Sequence, residues 1–392
     1  VEPVATVEVT AELTAEKVVA GGDALCRDGN GRVVLVPGLL PGEVATVAIT
    51  PARSTLARGT VTRLESPSPD RIEPQCRNVR RGCGGCPWAH VAPAAQVGLK
   101  AGIVAESLAR IAKLGERPVE VGPALPAEHF RTTVRVAGAP DGRVGFRSHR
   151  SHRVVAVPDC LVTHPLLDAM LPEVRIGPGA EVQLRVSAAT GERNALALGR
   201  GGRPRGLPAE VTEGPGAIVH ETIAGRRLRV SAPSFFQTRA DGAAALVDVV
   251  ARAVAGAPEG PFVDAYGGVG LFAATVAGDR RVTVVESSAS SCADAALNLP
   301  GAAVRVGPVE RWDPTPAAVV VADPPRAGLQ AAGAAVVAAT GARRVALVSC
   351  DAVAHARDVR LLVDAGYELV STTVVEMFPH TPHIEVVSRL DR

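Results

Sequence analysis

Aromatic side chains make up only 3% of the 392 residues, with two Trp, two Tyr and seven Phe. The rest of the composition is nevertheless that of an ordinary globular chain, 47% hydrophobic and 21% charged and rich in Ala, Val, Gly, Pro and Arg, which excludes wholesale disorder. No run of 18 or more strongly apolar residues occurs, so no membrane-spanning helix is expected. The opening VEPVATVEVTAE is acidic and lacks the basic-then-apolar pattern of a secretory leader, so the expected location is the cytoplasm. In that compartment the seven cysteines are expected as reduced thiols, metal ligands or nucleophiles and not as disulfides. The length calls for two or three domains.

Charge is scarce overall, with a net of +2, but it is unevenly placed. Lys plus Arg against Asp plus Glu counts 3 to 7 over residues 1–50, 17 to 9 over 51–160, and 22 to 24 over 161–392. A basic middle block between near-neutral neighbours is either a solvated face or a footprint for nucleic-acid phosphates.

Residues 1 to about 62 alternate in β-like runs, VATVEVTA, RVVLVP, EVATVAI and RGTVTRL, separated by glycine turns, which suggests a small OB-like barrel. SPSPDRIEPQ then breaks the pattern as a linker. Leu99, Ile103, Leu108 and Ile111 fall near helical spacing over residues 94–114, and strands resume from 130 to about 231. Beyond 238, helix and strand alternate and the strands are Val-rich, as in a parallel sheet covered on both faces. The fold class is therefore α/β: a doubly wound Rossmann-like domain (236–392), preceded by an OB-like barrel (1–65) and a central β-rich domain (66–235).

Ligands in doubly wound sheets bind beyond the carboxyl ends of the strands, and the motifs collect there. The first strand-to-helix turn is DAYGGVG (264–270), and Glu286 ends the next strand, the arrangement that accepts a nucleoside ribose. Leu-Phe-Ala follows Gly270, so the full dinucleotide spacing is absent and NAD is disfavoured. DPPRAG (323–328) ends a later strand with a stiff turn that aims Asp323 into the cleft, and Arg326 beside it can meet a phosphate. RRVALVSCD (343–351) ends on Cys350 and EMFPHTPHIE (376–385) ends on Glu385. A lone cysteine there reads first as core closure. With a stiffly held carboxylate and a nucleoside cofactor, it fits methyl transfer to carbon 5 of a pyrimidine. A thiolate at Cys350 adds to carbon 6, and a base at Glu385 later removes the carbon 5 proton.

These motifs, with FFQ (235–237), in this order, resemble the RNA uracil-carbon-5 methyltransferases over nearly the whole chain. The barrel, with its VPGLLPGE, resembles that family's RNA-binding TRAM domain. The resemblance implies S-adenosylmethionine held by Gln237, Tyr266, Glu286 and Asp323, a catalytic pair Cys350 and Glu385, and structured RNA as partner, ribosomal before transfer RNA, acted on by a monomer. Gly267, Arg239 and Leu271 depart from the family pattern, and the aspartate often found after the middle strand is not evident in RVGPVERW. Cys76, Cys83 and Cys86, with Cys160 as a plausible fourth, supply thiolates that suit zinc or an iron-sulfur cluster alike. The family's cluster-bearing branch has such a Cys-Gly-Gly-Cys run, which implies 4Fe-4S in a structural role. Cys26 and Cys292 read as packing. Phe235 or Phe236 is expected to stack on a flipped-out base. Two other functions fit parts of the pattern: an exocyclic-amine RNA methyltransferase, which needs no thiol, and a non-catalytic RNA-binding iron-sulfur protein.

Overall fold

The computed structural model describes residues 9–50, 56–199 and 202–392. Five strands, Val9–Val18, Ala24–Arg27, Val33–Val36, Val44–Thr50 and Leu56–Ser66, close into a barrel filled by Leu13, Val34, Val36, Val47, Ile49 and Cys26. The strand Ala24–Arg27 escapes sequence reading because three of its four residues are buried in succession, so no alternation shows. The predicted start of the first strand, residues 4–8, lies outside the described residues. The proline-rich stretch after the barrel is fastened to it, not loose. Glu43, fully buried, accepts from the backbone N–H groups of Leu40 (2.8 Å) and Ser68 (3.0 Å) and pairs with Arg71.

The central part is a six-stranded sheet in the order Val211–Glu213, Arg193–Leu198, Glu181–Val186, Thr133–Gly138, Val144–Arg147 and Val154–Ala156, followed by the hairpin Ile218–Ile223/Arg226–Ser231. Three pieces of the 66–235 segment pack elsewhere. The helix Pro93–Arg110 buries Ile103, Val104 and Leu108 in the core of the C-terminal sheet, and Glu120–Val121 pairs with that sheet's edge. The hairpin shares its apolar side with the helix Ala240–Val254. An amphipathic face goes to the nearest apolar surface whatever its place in the chain, so segment boundaries read from composition miss such returns.

The C-terminal sheet has the strand order Ala303–Val306, Val282–Glu286, Phe262–Ala265, Val319–Ala322, Arg344–Ser349, Val386–Asp391, Glu368–Val374 and Glu120–Val121. The first five are parallel, as expected. The pairings of Val386–Asp391 with both its neighbours are antiparallel, because the loop that joins it to Glu368–Val374 carries no crossover helix. That reversal has a consequence for the site: the beginning of Val386–Asp391 lies beside the end of Arg344–Ser349, with Ser349 paired to Val386.

Candidate active site

Cys350 and Glu385 are the residues just outside that pair on the two strands, and they lie close enough that the charge of Glu385 is felt at the Cys350 thiol. Asp351 is drawn away from them, since its carboxylate caps the helix Ala352–Asp364 by accepting from Val353 and Ala354 N–H. Burial pushes the Cys350 thiol up to about 11, helped by the negative charges of Glu385 and Asp323 and opposed by Arg326. Glu385 is buried and its carboxyl is raised well above the usual range, first by burial and then by Asp323. Asp323 is likewise raised by burial, to about 7. All three acids at the mouth of the sheet have raised proton affinity, and Cys350 and Asp323 are partly exposed whereas Glu385 is buried.

Gln237, Tyr266 and Asp323 line one cleft together with Phe235, Phe236, Gly267, Gly268, Val269, Leu271 and Phe272. Glu286 sits at its rim, accepting from the backbone N–H of Gly268 (3.0 Å) and Ser288 (2.6 Å). All four residues expected at the nucleoside cofactor are thus gathered around the glycine turn. The turn enters the helix Leu271–Val276 through Gly270, whose φ of 87° is a conformation that favours glycine. A side chain at Gly267 would crowd the strand behind, since a Cβ there falls 2.8 Å from Val284 Cγ1. Glycine at that departure from the family pattern therefore matches the packing. Arg239 is no cofactor contact: it is fully buried, pairs with Asp241 and lies 4.3 Å over the Phe130 ring.

Two acids of this region were missed as site residues. Asp264 opens the glycine motif. It is fully buried, with Oδ2 accepting from Ala273 N–H (2.9 Å), Oδ1 without a partner among the described residues, and burial pushing it up to about 7. Glu310 accepts from the Tyr266 hydroxyl at 2.6 Å and lies in the short turn Val309–Arg311, within the RVGPVERW stretch that lacks the family's aspartate. The pattern DAYGGVG contains the first; the second had no signal, because its role depends on a tyrosine 44 residues away.

Cys76, Cys86 and Cys160 line a cavity of about 240 Å³, and Cys83 lies close enough that its charge is felt at Cys86 and Cys160. Burial is the main reason the Cys86 thiol is pushed up to about 12 and that of Cys160 to about 11, with the other cysteines adding to it. Gly84 permits the turn, since a Cβ there would overlap the backbone of His149. Asn78, two residues past Cys76, donates to Asp159 O (2.7 Å) and so ties the first thiol to the fourth. Among the described residues no group of three or more His, Cys, Asp or Glu side chains is placed to hold a single metal ion. The cavity offers soft sulfur donors. Its neighbour Arg131 brings a positive charge that Cys86 and Cys160 feel, and the buried Arg131 Nε finds no acceptor among the described residues. Cys26 is buried in the barrel, and Cys292 is buried with its thiol donating to Glu286 O (3.1 Å).

A TRAM domain family model matches residues 3–62. An RNA methyltransferase of Streptomyces coelicolor, named as uncharacterized, is 32% identical over 100% of this chain and 94% of its own. A 23S rRNA (uracil(1939)-C(5))-methyltransferase of Methylococcus capsulatus is 31% identical over 97% of this chain and 98% of its own. The solved tRNA (uracil-54, C5)-methyltransferase of Pyrococcus abyssi, in complex with S-adenosyl-L-homocysteine, superposes with a TM-score of 0.74 over 97% of this chain and 99% of its own, at 22% identity. No helix of the described residues is long and apolar enough to cross a membrane.

Proposed function

Because the chain belongs to the RNA uracil-C5 methyltransferase family, we propose that it methylates carbon 5 of a uridine in structured RNA, ribosomal before transfer RNA, with Cys350 as covalent nucleophile and Glu385 as general base. The observation that supports this reading is the closeness of Cys350 and Glu385, which flank the Ser349–Val386 pair and lie near enough that the charge of Glu385 raises the thiol.

S-adenosylmethionine, when bound beside Gln237, Tyr266, Glu286 and Asp323, supplies an electrophilic methyl group on a sulfonium. Carbon 5 of uracil is too weak a nucleophile to take it unaided. The Cys350 sulfur, its thiol proton having passed to solvent, adds as the thiolate to carbon 6, the 5,6 double bond opens, and its electron pair collects at carbon 5 and the 4-oxygen. Once carbon 5 carries the methyl group, Glu385 accepts the proton still on that carbon. The freed C–H pair restores the double bond, and the carbon–sulfur bond breaks to return the thiolate. Burial and Asp323 raise the proton affinity of Glu385, the direction that strengthens a carboxylate as proton acceptor. Phe235, 65% exposed at the lip of the cleft, is the aromatic placed to stack on the flipped base, while Phe236 is packed in the core.

The four cysteines are assigned to a 4Fe-4S cluster with a structural role, because four thiols beside an unsatisfied arginine suit an anionic cluster. Ribosomal RNA is favoured by the nearly full-length similarity to the Methylococcus enzyme. Single turnover on an RNA carrying 5-fluorouridine tests the mechanism: carbon 5 then has no proton for Glu385 to remove, so a covalent adduct that maps to Cys350 is expected. Methylation without an adduct, or methylation surviving in Cys350→Ala, overturns the reading.

A further inference from the structure

The loop that carries Glu385 is held from below by two polar side chains of a helix far away in the chain. Gln96 and Lys100 are both fully buried and lie four residues apart, on one face of Pro93–Arg110. Lys100 Nζ pairs with Glu376 and donates to Phe378 O (3.0 Å). Gln96 Oε1 accepts from His380 N–H (2.6 Å), and its amide donates to Val91 O (2.9 Å). Trp88 N–H donates to His380 O (2.8 Å), and Arg239 donates to Glu376 O (3.3 Å). The loop closes on itself where Val375 N–H donates to Glu385 O (2.8 Å). Burying a lysine costs desolvation that a methionine or leucine would avoid, and a fold needing only to fill this space would not require the charge.

We infer that Lys100 is a positioning residue for the proposed reaction: its ion pair with Glu376 and its bond to Phe378 O fix the 376–385 loop so that the Glu385 carboxylate faces the carbon 5 proton. This rests on the functional reading above and assigns Lys100 to one step of it. Addition of Cys350 to carbon 6 draws on the neighbouring strand Arg344–Ser349 and does not need the loop. Proton removal needs it, because that step transfers the carbon 5 proton to Glu385, returns the C–H electron pair to the ring and expels the thiolate. A shift of about 1 Å in a reacting group costs about 100-fold in rate.

The test is Lys100→Met, with the neutral double variant Lys100→Met/Glu376→Gln in case the single variant leaves Glu376 unpaired and fails to fold. Each is run with S-adenosylmethionine and natural, unfluorinated RNA. Expected is a kcat lower by about 10- to 100-fold with KM within about threefold, and a methylated RNA–Cys350 adduct that accumulates during turnover, visible as a shifted band and by mass. Glu385→Gln provides the reference for a stalled final step. A wild type that never forms an adduct with fluorinated RNA overturns the functional reading itself. A wild type that forms it, with folded Lys100 variants that lose activity without accumulating adduct or keep full activity, overturns the role of Lys100 alone.

Discussion

Replacing Glu385 by Gln should make Cys350 more reactive while making the enzyme slower. Glu385 is the first-ranked charge that raises the Cys350 thiol, so removing it releases part of the hold that puts the thiol at about 11. Two unit charges about 5 Å apart at an effective dielectric of about 20 interact by about 3 kcal/mol, or about two pKa units. Cys350, Glu385 and Asp323 share one electrostatic site, so removing one member releases only part of that full interaction and about one unit is expected. The thiolate fraction at pH 8 then rises about tenfold. A less basic thiolate is also a weaker nucleophile, with a Brønsted slope of about 0.4–0.5, which trims the gain to about threefold. The assay is iodoacetamide alkylation at pH 8, read by peptide mapping so that the other six cysteines do not obscure Cys350. Turnover on RNA should fall by about 100- to 10,000-fold in the same variant, as for loss of a general base. Arg326→Gln should move alkylation the other way, because the charge of Arg326 lowers the thiol. Alkylation of Glu385→Gln at or below the wild-type rate would refute the claim that the two groups share one electrostatic site.

Phe235→Ala should raise KM for RNA by about 5- to 150-fold, the range expected from losing about 1–3 kcal/mol of base stacking, with circular dichroism unchanged because the ring is mostly exposed. Asp264 binds its proton more tightly folded than unfolded, with a pKa moved from 3.8 to about 7, so its contribution to stability is full below about pH 4 and is lost as pH rises through 7. Denaturant unfolding from pH 4 to 8 should therefore show a smaller decline in Asp264→Asn than in the wild type, by up to about 4 kcal/mol; equal slopes contradict the burial argument. Protein purified without oxygen should carry about four iron and four sulfide per chain, and Cys160→Ala should lose them; stoichiometric zinc in their place would reassign the thiols.

The candidate site was legible because its residues sit at chain punctuation. Cys350, Asp323 and Glu286 each follow or end a Val-containing strand, and Tyr266 follows Phe262–Ala265 at the glycine turn; a strand's carboxyl end is visible in sequence as the point where an apolar run gives way to polar or glycine residues. Glu385 was legible for a related reason, as the last residue of a proline-stiffened loop before an apolar run. What sequence could not show was the antiparallel turn that sets Glu385 against Cys350, because alternation gives a strand's faces and not its direction.

Bracing residues are illegible for a deeper reason. Lys100 lies on a helix whose apolar spacing announces a buried face, and a lysine there reads as a charge at the margin of that face. Only the return of the chain 276 residues later puts Glu376 against it. Glu310 under Tyr266, Arg239 over Phe130 and Glu43 beneath the proline-rich stretch follow the same rule: each is a polar group whose partner is far off in sequence or in a segment without periodicity. A buried charge survives only where a partner meets it. The local sequence therefore records which residues can react, and the long-range pairs record which of them are held still.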